Sequence, residues 1–178
     1  SRDPQKGDAP AGLWKVERHL MKDRKNEILV IYGKEYGKMT RRLLEEADLA
    51  AQIGDRKKRI GIKPNLVSPV LPSDGATTHP EVVESLICYL KDHGFENLVI
   101  MEGSWVGART EEAFKVCGYR KLADRYGIEL RDGQKERSVP VDCKGMKIDV
   151  CACALEVDFL INVPVMKGHC QTRVTCAL

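Results

Sequence analysis

Three short polar segments carry side chains suited to binding an anion or moving a proton. They are Lys63-Pro64-Asn65, Thr77-Thr78-His79-Pro80 and Lys167-Gly168-His169-Cys170. The first and third directly follow apolar runs with strand character, and the second directly precedes a pattern typical of a helix. In open α/β sheets, ligands bind outside the carboxyl ends of the strands, where helix amino termini also point their unpaired N–H groups. We therefore expect the three segments to converge on one crevice.

The first two segments offer ammonium, amide and hydroxyl groups to an anion. Lys63 can hold a phosphate or carboxylate that Asn65 orients, and Thr77 and Thr78 would bind it together with the helix amino terminus. Simpler interpretations stay open. The Lys63 side chain can extend to solvent while Asn65 forms a local turn. Thr78 can be a plain helix cap that forms a capping box with Glu81.

Two histidines in these segments are candidates for acid/base catalysis or metal binding. His79 lies at the start of the predicted helix, where the helix dipole disfavours a protonated imidazole and keeps the ring neutral. His169 is followed by Cys170, and the two could bind a metal or act as base and nucleophile. Lys167 adds a charge, and Gly168 lets the backbone approach a ligand. The alternative for this segment is a surface turn with a structural cysteine.

Glu102-Gly103-Ser104 ends a further apolar strand and adds a carboxylate and a hydroxyl to the predicted crevice. Glu102 and Ser104 are therefore expected to contact the ligand. No G-x-G-x-x-G run follows a predicted strand, and the chain contains no G-x-x-x-x-G-K-[ST] loop. Neither dinucleotide binding nor P-loop nucleotide binding is indicated.

The seven cysteines do not show the spacing of common zinc or iron–sulfur sites. Cys151-Ala152-Cys153, together with Cys143 or Cys170, invites a metal interpretation, but such sites usually contain repeated C-x-x-C pairs. An iron–sulfur cluster held by this chain alone is therefore not expected, whereas a divalent metal stays open. Cys88 and Cys117 fall in helical patterns and are most simply core residues. An odd number of cysteines in a chain of this size favours reduced thiols.

The elements that would position these segments alternate between strands and helices. Continuous apolar runs predict strands over 27–32, 59–64, 97–101, 127–130 and 157–165. Polar and apolar residues alternate around Gly145 between 138 and 150, which predicts an antiparallel hairpin. The order predicts an α/β fold with a mainly parallel sheet, helices on both faces and a short antiparallel hairpin.

Capping residues and glycines predict where the helices begin and end. One helix is expected to begin at Thr40 and to end at Gly54. A second is expected to begin with the Thr78 capping pair, and a helical stretch over 111–126 is broken at Gly118. These boundaries place the predicted site residues between strands and the helices that follow them.

Composition favours one folded domain in the cytoplasm. The 178 residues are 43% hydrophobic and 31% charged, enough for one buried core. Residues 1–10 are expected to be a disordered leader and 11–178 a single domain. No run approaches the roughly 18 apolar residues of a membrane span, and no signal peptide is evident. The net charge of +3 lacks the excess typical of duplex-binding proteins, so nucleic acid is unsupported as a partner.

The same motifs resemble the family known as domain of unknown function 362. The resemblance rests on 62–67, 75–83 and 163–169, which read Ile-Lys-Pro-Asn-Leu-Val, Gly-Ala-Thr-Thr-His-Pro-Glu-Val-Val and Val-Pro-Val-Met-Lys-Gly-His. It implies an uncharacterised α/β domain that many members join to a ferredoxin-like module with a four-iron cluster. The iron–sulfur label does not carry over, because no C-x-x-C-x-x-C run occurs here. Since the family usually continues further, the chain is expected to be truncated at its carboxyl end.

A more remote similarity concerns the Thr-Thr-His-Pro helix and the strand after it. This arrangement is similar to the amino-terminal half of the nickel-pincer lactate racemases. The histidines of those enzymes do not map onto His79 and His169 residue by residue, so the similarity implies no catalytic role for either one.

The leading functional hypothesis is an α/β domain that binds a small anionic molecule at the strand ends. Lys63 and Lys167 would anchor the charge, and His79 or His169 would act as acid/base or metal ligand if the domain is an enzyme. The convergence of the three polar segments motivates this hypothesis.

The alternative comes from another class of protein. In it, the chain is a redox or metal-handling partner of a ferredoxin-like iron–sulfur module, and Cys151, Cys153, Cys170 and His169 take the metal or face the partner. A third hypothesis is a structural or assembly domain, which would be favoured if no pocket formed around Lys63.

Overall fold

A computed structural model describes residues 28–169 and 173–175 of the chain. Its strands are β1 (Ile60–Pro64), β2 (Leu98–Glu102), β3 (Glu129–Asp132), β4 (Ser138–Cys143), β5 (Met146–Cys151), β6 (Phe159–Val163), β7 (Lys167–His169) and β8 (Arg173–Thr175). Its α-helices are α1 (Tyr36–Glu46), α2 (Leu49–Ile53), α3 (Pro80–Asp92), α4 (Thr110–Val116), α5 (Tyr119–Tyr126) and α6 (Ala152–Leu155), and a 3-10 turn covers Pro72–Asp74. No helix among these residues is long and apolar enough to cross a membrane.

The centre of the fold is a four-stranded sheet with the order β3-β2-β1-β6. All three pairs of neighbouring strands are parallel, and Ile60 of β1 lies beside Leu98 of β2 and Phe159 of β6. Parallel neighbours need crossover connections, and here helices supply most of them. The α/β class predicted from the sequence, with a parallel sheet, helices and a short antiparallel hairpin, is confirmed.

The first face of the sheet carries the main hydrophobic core. Ile60, Ile62 and Ile100 on this face are fully buried. The helices that cover them contribute Ile53, Val83, Leu86, Ile87, Leu90, Ala113, Phe114 and Leu122. Helix α3 supplies the largest share, because its apolar residues recur at helical spacing and so lie along one side.

The second face of the sheet has a much smaller core. Val99 and Met101 point to this face and pack with Cys153 of the one-turn helix α6. Gly61 also belongs here, because an added Cβ would lie 2.9 Å from the Met101 side chain. The β6 residues Leu160 and Asn162 stay exposed, so part of this face is open to solvent.

The strand predicted over 27–32 is wrong for the residues that the structure describes. Residues 28–32 have no regular structure, and Ile28 and Tyr32 are 88% and 90% exposed. A strand needs a neighbour for its backbone hydrogen bonds. Among the described residues, no strand pairs with 28–32. The apolar run therefore indicated hydrophobicity without a place in the sheet.

The glycine breaks were better indicators than the hydroxyl caps. Thr40 lies inside α1, which begins at Tyr36 after Glu35, so the cap predicted at Thr40 is wrong. Asp48, in the left-handed region with φ 48°, separates α1 from α2. The helix end at Gly54 and the break at Gly118 are confirmed.

Two antiparallel hairpins accompany the parallel sheet. The hairpin predicted over 138–150 is confirmed as β4–β5, and its turn contains Lys144 and Gly145 with positive φ. It forms a separate two-stranded sheet and does not extend the parallel one. A second hairpin, β7–β8, follows β6 and was not predicted.

Candidate functional site

The site is built where β1, β2 and β6 end beside one another. Their last residues are Pro64, Glu102 and Val163, and parallel pairing brings these ends to the same edge of the sheet. Pro64 and Val163 are direct partners in the β1–β6 register. The polar segments that follow the three strands therefore meet here, as the sequence predicts.

Glu102 is the buried charge at this edge. Its side chain is 3% exposed, and its Oε2 lies 2.6 Å from the Nζ of Lys63, whose side chain is 40% exposed. The other carboxylate oxygen accepts the backbone N–H of Leu66 at 3.1 Å. A buried carboxylate needs such partners because desolvation alone would disfavour its charge. Lys63 and Glu102 thus form an ion pair in which the carboxylate is buried and the ammonium group is partly exposed.

Lys167 reaches the same edge from the start of β7. Its Nζ donates to the Oδ1 of Asn65 at 2.7 Å and to the backbone carbonyl of Ala76. Burial lowers the pKa of the Lys167 ammonium, and the nearby charge of Glu102 opposes that effect. Four predicted site residues are therefore brought together: Lys63, Asn65, Glu102 and Lys167.

Thr78 joins the strand ends to each other and does not cap a helix. Its Oγ1 accepts the backbone N–H of Asn65 and donates to the carbonyl of Val163, both at 2.8 Å. Helix α3 begins at Pro80 with His79 as N-cap, without a side-chain capping bond. The predicted capping box is therefore wrong, because the hydroxyl bonds across the sheet edge instead.

Thr77 and Ser104 have similar internal partners. The Thr77 hydroxyl donates to the carbonyl of Val70 at 3.2 Å, and the Ser104 hydroxyl donates to the carbonyl of Leu66 at 2.6 Å. A hydroxyl has one proton to donate, so in this arrangement neither group has a proton left for an anion. Both residues are buried and hold the loops that surround the strand ends.

The two histidines lie beside the strand ends in different settings. The ring of His79 stacks on Tyr36 of α1 with centroids 4.1 Å apart, and its Nδ1 is 3.7 Å from Glu81. His169 ends β7 and pairs with Arg173 in the β7–β8 register. Cys170 lies outside the described residues. Within residues 28–169 and 173–175, no group of three or more His, Cys, Asp or Glu side chains could hold a metal ion. The catalytic and metal roles stay predictions.

Two residues that the sequence does not indicate fix the loops around the site. The hydroxyl of Tyr119 donates to the carbonyl of Thr78 at 3.0 Å, and burial raises the pKa of this phenol well above its usual value. The amide nitrogen of Gln134 donates to the carbonyls of Ser104 and Ala108. Neither contact has a sequence signal, because each joins residues more than 25 positions apart.

Comparison with known proteins identifies a family for this chain. The family model described as domain of unknown function (DUF362) matches residues 60–178. The chain belongs to this family. The DUF362 match includes Lys63, Asn65, Glu102 and Lys167, whereas α1 and α2 precede it. Searches of curated proteins and of solved structures returned no match. The similarity to lactate racemases is therefore not shown.

Proposed function

We propose that this protein binds a small anionic ligand at the carboxyl edge of the parallel sheet, between Lys63 and Lys167. The observation that supports the proposal is the meeting of two ammonium groups with a single carboxylate, Glu102. Together these three side chains carry one net positive charge. A partly desolvated positive site attracts an anion more strongly than a lysine in bulk solvent.

Each lysine keeps a donor for a ligand within the part of the chain that the structure describes. An ammonium has three N–H donors. Lys63 uses one on Glu102 and directs a longer contact of 3.4 Å to the carbonyl of Pro64. Lys167 uses two, on Asn65 and Ala76. An anion between the lysines would take the remaining donors and offset the cost of burying Lys167.

The amino terminus of α3 is a weaker anion-binding site than the two lysines. Pro80 stands at its first position and lacks an N–H group, and the acidic residue Glu81 already lies in the first turn. Thr77 and Thr78 donate their hydroxyl protons to backbone carbonyls. We therefore assign ligand contact to the lysines and a supporting role to the threonines.

Anion titration of lysine variants tests the proposal. A thermal-shift panel of inorganic phosphate, sulfate, dicarboxylates and tricarboxylates selects the tightest anion, and calorimetry then measures its Kd. Lys63→Met and Lys167→Met should each raise this Kd about tenfold or more, because a hydrogen bond to a charged group is worth about 1.5–3 kcal/mol. Methionine preserves the apolar stem of each side chain.

Two further variants make the result specific. Glu102→Gln removes the competing carboxylate and should tighten anion binding. Lys38→Met is the matched control, since Lys38 of α1 forms an exposed ion pair at 2.8 Å with Glu35, which precedes the helix. Equal affinity in the wild type, Lys63→Met and Lys167→Met would refute the proposal, as would an equal loss in Lys38→Met.

A further inference from the structure

Two thiols lie almost in bonding contact on the second face of the sheet. Cys151 is the last residue of β5, and Cys153 lies in the first turn of α6. Their Sγ atoms are 3.2 Å apart. A disulfide bond measures about 2.03–2.05 Å, so the two sulfurs would have to approach by only about 1.2 Å to form one. No disulfide joins the two sulfurs in this structure.

The two sulfurs differ in access. Cys153 is 4% exposed and packs with Val99 and Met101. Burial, and then its contact with Cys151, raise the pKa of the Cys153 thiol to about 12. Cys151 is half-buried, and besides Cys153 its sulfur has a contact of 3.9 Å with the carbonyl of Gly133. A reagent from solution therefore reaches Cys151 first, and Cys153 stands behind it as the second thiol.

We propose that Cys151 and Cys153 form a thiol–disulfide exchange site for small-molecule disulfides. The Cys151 thiolate attacks one sulfur of the small disulfide, which forms a mixed disulfide and releases one small thiolate. Cys153 then attacks the Cys151 sulfur as its proton passes to the second small thiolate, which leaves as a thiol. Two protein thiols and one small disulfide become one protein disulfide and two small thiols, so two electrons pass to the small molecule.

This bond would not act as a structural staple. A disulfide stabilises a protein mainly by closing a loop in the unfolded chain, and the effect grows with loop length. Cys151 and Cys153 are separated by one residue, so the closed loop is minimal. Oxidation should therefore change the melting temperature little. The inference is independent of the anion proposal, because it uses none of the lysines.

Peptide mapping after equilibration with glutathione disulfide tests the inference. Trypsin cleaves after Lys147 and Lys167, so both cysteines fall in the peptide 148–167 without any other cysteine. Cys143 is exposed and falls alone in the peptide 138–144, which makes it an internal control. Starting from reduced, chelator-treated protein, the 148–167 peptide should lose two hydrogen atoms. The Cys143 peptide should gain one glutathione.

Single variants test the order of attack. Cys153→Ser should trap one glutathione on Cys151, whereas Cys151→Ser should leave Cys153 as a free thiol because that sulfur is shielded. The reverse pattern would overturn the inference. So would wild-type protein whose 148–167 peptide keeps both thiols, or carries glutathione on both, while Cys143 reacts. The wild-type map needs no substitution, so a variant that fails to fold does not decide the question.

Discussion

The two faces of the parallel sheet differ in how completely they are covered. On the first face, Ile60, Ile62 and Ile100 lie beneath the helices and are fully excluded from solvent. On the second face, within residues 28–169 and 173–175, Val99 and Met101 pack with a small cluster around the one-turn helix α6. Apolar burial is the dominant favourable term in folding, so the first face provides most of the stability.

The proposed thiol–disulfide exchange site lies on this less covered second face. The Cys151–Cys153 pair lies there, and the neighbouring Leu160 side chain is 45% exposed. A thiol can react with a dissolved molecule only if that molecule reaches its sulfur, and a fully covered face would prevent this. The first face therefore provides most of the stability, while the second face and the carboxyl edge keep partly exposed side chains such as Cys151 and Lys63.

Alanine substitutions at two neighbouring residues of β2, which point to opposite faces, should change the free energy of unfolding the most. Ile100→Ala should cost about 4 kcal/mol and Met101→Ala about 2 kcal/mol, because a cavity beneath packed helices relaxes less than one beneath a small, partly open cluster. Urea unfolding of both variants measures the difference. Equal losses would contradict the proposed contrast between the faces.

Gly61→Ala tests whether the second face is nonetheless packed around β1. The added Cβ would lie 2.9 Å from Met101, 3.1 Å from Leu160 and 3.2 Å from Val157, all at side-chain tips. We expect a loss of about 1 kcal/mol from overpacking, measured by urea unfolding. Gly103→Ala is the control, because its nearest neighbours lie 3.8 Å away. If Gly61→Ala were as stable as Gly103→Ala, the side chains around Gly61 would be able to move aside without a loss in the free energy of unfolding.

The smallest expected change in stability comes from Lys167, and this change depends on pH. Burial lowers the pKa of Lys167 in the folded state below its usual 10.5. Between these two values the unfolded chain holds the proton more tightly, so the stability contribution of Lys167 rises with pH across that window. The penalty is fully present below the folded pKa. Relative to Lys167→Met, the wild type should therefore gain thermal stability between neutral pH and about 10.5. A constant difference would contradict this linkage.

Part of the site could be predicted because strand ends are visible in a sequence. Apolar runs that lead into Lys63, Glu102 and Lys167 place these polar residues at a common edge once the sheet is parallel. The role of Thr78 could not be predicted in this way. Its capping pattern with Glu81 is local, but its hydroxyl bonds to Val163, 85 positions away. The Thr78 hydroxyl forms this tertiary hydrogen bond instead of a local helix cap, and the sequence does not indicate that choice.

The α/β class, the glycine breaks, the hairpin around Gly145 and the polar strand ends could all be predicted from the sequence. These features depend on side-chain periodicity and on backbone freedom, which are properties of short segments. The tertiary structure was needed to show which apolar runs enter the sheet and that Lys63 pairs with Glu102. Each of these outcomes depends on strand order and on burial, which arise from the competition of distant segments for the same neighbours.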